Sequence, residues 1–282
     1  MSKVVLVHGI AQELKGPHSL LDTWYPALAD GLALGGGEVD RAEVSMAFYG
    51  DLFRPGGHRA TGVPELDASD VADGLERDLL LAWWREASRS ESAVPGPGDP
   101  GRLRTPRTVQ RALDALSHSA FFSGLSERLL IFSARQVRRY LTEEALRGEV
   151  RTRAGDAVTG ETRVVVAHSL GTVVAYEALC GLPAGSGITL VTLGSPLGIR
   201  NLIFDRLVPR PAEGRAQWPS PVARWVNVAD AGDAVALVKE LAPSFGQEVR
   251  DLRVHNGSQA HDVRPYLTAR ATGEAIAAAL RD

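Results

Sequence analysis

A single cysteine, Cys180, stands among 282 residues. That excludes an internal disulfide framework and any zinc site built from several thiolates. Long apolar runs are missing as well. No stretch reaches the roughly 18 uncharged apolar residues that suggest a bilayer span, so none is expected. Neither sign of charge dominates: 31 Lys and Arg face 34 Asp and Glu, for a formal net charge of -3. The two signs are interleaved along the chain, which leaves no basic footprint for nucleic acid. No HExxH or similar histidine-carboxylate cluster occurs, so neither a metal nor another cofactor is expected. The opening residues MSKVVLVHG lack the apolar segment of a signal peptide, and a cytoplasmic location is the expectation.

Two glycine-rich stretches also fail as binding motifs. GPGDPG, residues 96–101, has the spacing of a dinucleotide loop. It holds two prolines, follows no strand and opens no helix, so the physical requirements are absent. GGG at 35–37 lacks the Lys-Ser/Thr of a phosphate loop and reads as a helix stop.

What is present is an alternation of short apolar runs with helical patterns. Strands are expected at residues 4–7, 42–49, 163–167, 188–193, 225–228 and 249–254. Helices are expected at 19–34, 70–88, 108–117, 126–154, 170–179, 235–241 and 268–280. Short buried strands between helices predict an α/β domain, with a mostly parallel twisted sheet covered on both faces. One domain over residues 1–282 accommodates this, with residues 51–160 as a helical insertion. Within the insertion, ALSHSAFFSGLSERLLIF is the most apolar piece.

The stretch VVVAHSLGTVVAYEAL, residues 164–179, carries the chemistry. Ser169 falls where a buried strand gives way to a helix. So tight a turn strains the serine backbone and projects its hydroxyl, and it leaves room only for small residues two positions to either side. Ala167 and Gly171 occupy those positions, a nucleophile elbow with alanine in place of the first glycine. The amide of Leu170 at the helix start is one candidate oxyanion donor. A second is expected from the loop after the first strand, from Ile10 or from Gly9 or Ala11. The plainer reading makes Ser169 only an N-cap.

LVHGI, VVVAHSLGTVVAYEAL and TLGSPLGI together resemble the α/β-hydrolase superfamily, in its lipase-like and esterase-like branch. The resemblance covers about residues 1–50 and 160–282. It implies an α/β-hydrolase fold and the chain order serine, acid, histidine. Many of its members carry a helical cap over the serine. The insertion at 51–160 here precedes the nucleophile strand instead of following the next one, and it is expected to form a lid in part. Only His255 and His261 lie downstream of Ser169, and the family's placement of the base after the last strand, with the pattern H-x-x-x-x-Y-L, favours His261. The D-x-V-A pattern favours Asp233 as the acid, with Asp230 as the alternative. His8 and His168 are expected to brace neighbouring loops, and Asp262 lies too close along the chain to orient His261.

The implied activity is ester hydrolysis through an acyl-enzyme on Ser169. Lipase or phospholipase, thioesterase and amidase activities share the same residues, and a non-catalytic binding protein on the same scaffold is the alternative of another class. The expected partner is a small-molecule or lipid acyl ester. Phe121 and Phe122 are candidates to bind the acyl chain or to touch a membrane surface.

Overall fold

In the computed structural model, residues 2–54, 66–97, 106–119, 126–185 and 187–281 are described. Among them the strands are β1 (Val4–Val7), β2 (Val44–Ala47), β3 (Val164–His168), β4 (Ile188–Leu193), β5 (Val222–Asp230) and β6 (Val249–Val254). The helices are α1 (Pro17–Leu34), α2 (Leu75–Ser90), α3 (Pro106–Ser117), α4 (Glu127–Thr142), α5 (Glu144–Asp156), α6 (Leu170–Cys180), α7 (Ala242–Phe245), α8 (Val263–Thr268) and α9 (Arg270–Arg281). The strands form one sheet in the order β2-β1-β3-β4-β5-β6. Every pairing is parallel, so the fold is α/β with an all-parallel sheet.

The central strands consist of apolar, largely β-branched residues because both of their faces are covered. Alternation divides them cleanly. Val5, Val7, Val165, Ala167 and Leu190 face one core with Val173 and Tyr176 of α6 and Val150 of α5. Val4, Leu6, Val164, Val166 and Val191 face the other, with Leu20, Trp24 and Leu28 of α1 and Ile276 of α9. A third core joins α2, α3 and α4 through Leu80, Trp84, Leu113 and Ile131, and it reaches Ala234 and Val235 beyond β5.

The strand order reverses between β1 and β3. From β1 the chain moves outward to β2, then crosses back to β3 on the opposite side of β1. The crevice beyond the carboxyl ends of these two strands is therefore a topological switch point, where open parallel sheets place their ligands.

Two expected helices come out differently. The pattern over residues 126–154 is broken at Glu143, which is extended at φ -97° and ψ 93°. The break lets Tyr140 of α4 and Arg147 of α5 converge on the buried carboxylate of Glu177. Residues 235–241 form an irregular, bent loop instead of a helix. Their backbone is engaged by side chains: Val235 and Ala236 donate to Asp233 Oδ1. The amide of Leu241 donates to Asp251, and the Lys239 carbonyl accepts from Asn227. The apolar spacing there reflects burial, not helical periodicity. Among the described residues, no helix is long and apolar enough to cross a membrane.

Candidate active site

β3 delivers Ser169 to the switch point. The serine has φ 55° and ψ -132°, a region that a side-chain-bearing residue seldom adopts. Such a conformation costs of the order of 1–3 kcal/mol and persists only where its surroundings hold it. Here the Ser169 amide donates to the Leu193 carbonyl at 3.1 Å, and its carbonyl accepts from the amide and hydroxyl of Thr172 at 2.9 and 2.8 Å. Although Ser169 occupies the N-cap position of α6, its hydroxyl makes no capping hydrogen bond. It turns to a histidine instead.

His261 Nε2 lies 2.9 Å from Ser169 Oγ, and His261 Nδ1 lies 2.8 Å from Asp233 Oδ2. An ionised carboxylate only accepts, so Nδ1 carries the ring proton and the Nε2 lone pair receives the serine O–H. Asp233 is fully buried. Burial alone would raise its pKa. The His261 ring beside it, Tyr266 and the Ala236 amide outweigh that cost and hold it at about 2. The carboxylate is thus negative and aimed at the imidazole across the neutral pH range.

Steric need explains the glycines. A Cβ on Gly171 would lie 2.3 Å from the His8 carbonyl oxygen and 2.5 Å from that of Val7, so only glycine lets α6 start against the end of β1. Ala167, two residues before the serine, is completely buried and accommodates its methyl. On Gly9 a Cβ would meet Ser169 Cβ at 2.8 Å, so glycine there allows the loop after β1 to close onto the serine.

Leu170 opens α6, so its N–H has no intrahelical carbonyl partner. Ile10, in the loop after β1, lines the cleft with Gly9 and Ser169. Ala11 is not available as a donor, because its amide gives its hydrogen bond to Gln136 Oε1 at 2.8 Å. His8 braces this loop. Its Nδ1–H donates to the Gly9 carbonyl and its Nε2 accepts from the Tyr49 amide. Desolvation by complete burial lowers its pKa to about 4, so the ring is neutral.

His168 Nε2 donates to the backbone carbonyl of His261 at 2.8 Å and so fixes the segment carrying that residue. Burial, followed by the nearby His261, lowers its pKa to about 3. Asp230 serves the loops: its carboxylate accepts from the amides of Gly232 and Asn256. His255 is largely exposed and stands 3.9 Å from Asp230. Asp262 caps α8 and pairs with Arg264. Phe121 and Phe122 lie outside the described residues.

Three contributors escaped the sequence reading. Tyr266 donates its hydroxyl to Asp233 Oδ2 at 2.8 Å and accepts from the Asp230 amide at 2.8 Å. Its position five residues after His261 was the available signal. Gly194, at the end of β4, has φ 54°, and a Cβ there would lie 2.7 Å from Asp233 Oδ2 and 3.0 Å from His261 Nδ1. The glycine of TLGSP marked it. Gln136 of α4 is buried, accepts from Ala11 and donates to Glu13 at 2.9 Å. Nothing local distinguishes it from any other polar residue on an amphipathic helix.

Two spaces meet at Ser169. A cleft of about 480 Å³ is lined by Gly9, Ile10, Gln12, Lys15, His168, His261, Asp262 and Arg264 as well as the serine. On the other side is a small apolar cavity of about 20 Å³. Searches of family models, of curated proteins and of solved structures found no match to the chain.

Proposed function

We propose that this protein is a serine hydrolase with an α/β-hydrolase fold that cleaves carboxylic esters. The reading is carried by one observation: the hydrogen-bonded chain from Ser169 Oγ through His261 to Asp233, set on a strained turn at the switch point. A serine hydroxyl is a poor nucleophile at neutral pH and needs a base to take its proton during attack. Ser169 Oγ adds to the acyl carbonyl carbon while its proton passes to His261 Nε2. The carbonyl electron pair moves to oxygen, and the amides of Leu170 and Ile10 are the donors we assign to that charge. The tetrahedral adduct collapses, the bond to the alcohol oxygen breaks, and His261 returns the proton to that oxygen. Water then repeats the sequence on the acyl-serine, with His261 again as base. Throughout, Asp233 stays ionised, fixes the imidazole tautomer and stabilises the imidazolium. No cofactor enters any step.

The test is Ser169→Ala assayed beside the wild type on p-nitrophenyl acetate, with both treated with a fluorophosphonate probe. The variant should fold and lose several orders of magnitude in turnover, and only the wild type should take the label, on Ser169. A variant that turns over at the wild-type rate would sink the proposal.

A further inference from the structure

The two spaces at Ser169 differ in chemistry, and His261 assigns them. In an acyl transfer the leaving oxygen must receive its proton from His261 Nε2, so the alcohol portion has to lie where that ring is reached. His261 lines the open cleft and is not among the residues around the apolar cavity. The acyl portion therefore turns the other way, past Ser169 and Leu170, into the cavity. Its walls are Leu79 and Trp83 from α2, Val137 from α4, Ile199 and Ile203 from the segment after β4, and Val235 from the loop beyond Asp233.

At about 20 Å³ this cavity has room for little more than one water-sized sphere. Trp83 and Ile203 are almost fully buried, and both α2 and the acid loop belong to one packed core. A longer chain would have to displace side chains that are already close-packed.

Resting on the hydrolase reading, we infer that the enzyme takes short acyl groups, acetyl foremost. Leu79, Trp83 and Val137 of the helical segment close the acyl pocket and set its length. The open cleft, walled by Trp24 and Val263 as well as by Gln12, Lys15 and Arg264, takes the alcohol.

The experiment measures kcat/KM of the full chain on p-nitrophenyl acetate, butyrate and octanoate, together with the mass gained on Ser169 after each ester. The wild type should favour acetate over octanoate by at least tenfold, which is about 1.4 kcal/mol. Trp83→Ala should shrink that preference by tenfold or more by opening the pocket. Leu79→Ala makes the same test with the tryptophan kept, should the larger truncation prevent folding. Val137→Phe should act in the opposite sense and lower butyrate turnover more than acetate turnover. Octanoate turned over as fast as acetate by the wild type, or an unchanged acyl profile in the folded variants, overturns the inference while the hydrolase reading stands. A protein that turns over none of the three esters and takes no fluorophosphonate label on Ser169 sinks both.

Discussion

The sheet and the helical segment between β2 and β3 both reach Ser169, but by different means. The sheet supplies its groups through the backbone. Ser169 follows β3, Gly9 and Ile10 follow β1, Gly194 ends β4, and Asp233 follows β5. Parallel register brings those strand ends level, so the groups converge without long side chains reaching for one another. The helical segment contributes through side chains, by packing and by hydrogen bonds. Gln136 holds the loop after β1 from 125 residues away, and Leu79, Trp83 and Val137 wall the apolar cavity. The candidate triad is thus built on the register of the sheet, whereas shape and loop position are set by helices packed over it. Damage to the two regions should have different signatures: loss of catalysis in the first, altered positioning and acyl choice in the second.

The largest expected effect tests the sheet side. Asp233→Asn keeps the shape of the acid but removes its charge and offers an N–H where His261 and Tyr266 both donate. Turnover should fall by about 10⁴, as when a triad acid loses the ability to fix its histidine. Asp230→Asn, three residues earlier, should stay within about threefold in kcat, because the hydrogen bonds of that carboxylate come from the backbone amides of Gly232 and Asn256 and not from His261. Steady-state kinetics of the pair decide the assignment. Equal losses would show that the two carboxylates share one role.

A smaller effect is expected where the helical segment meets the site. Gln136→Leu leaves the Ala11 amide and the Glu13 carboxylate without their buried partner, at a cost of about 1–3 kcal/mol. The loop carrying Ile10 should then drift, and a misplacement of this kind lowers kcat by about tenfold or more, with KM changing less. A kcat within twofold of wild type would show that the loop holds its position without the helix.

The same contrast decides what could be read in the sequence. Ser169, Gly171 and Leu170 are adjacent in the chain, and their geometry follows from one tight turn, so the motif contains its own explanation. Asp233 and His261 were reachable through the family resemblance, whose D-x-V-A and H-x-x-x-x-Y-L patterns fall in the loops after β5 and β6. The helix expected at residues 235–241 was misread because a buried loop and a buried helix present the same apolar spacing. Its amides are in fact engaged by Asp233 and Asp251. Gln136, Trp83 and Leu79 were not legible as site residues at all. Their roles depend on which face of a packed helix meets which loop, and periodicity marks the buried face without naming its neighbour.

The smallest effect concerns the two buried histidines outside the Ser169–His261–Asp233 chain. His168 and His8 are buried and neutral, with pKa values lowered by desolvation from 6.5 to about 3 and about 4. Below pH 6.5 the unfolded chain binds protons that the native rings refuse, so acid favours unfolding. Their contribution is fully present above pH 6.5 and drains away as pH falls toward the native values. At pH 5 each histidine alone amounts to roughly 2 kcal/mol, at about 1.4 kcal/mol per pH unit. Asp233 adds nothing in this window, since its carboxylate titrates only between its ordinary value of 3.8 and about 2. His168→Gln keeps a donor for the His261 carbonyl but cannot be protonated. Urea unfolding at pH 7.5 and pH 5.0 should show the wild type losing about 1–2 kcal/mol more than the variant between the two conditions. Identical losses would mean that His168 gains a proton in the native state, and that the segment carrying the base is looser than the packing around it implies.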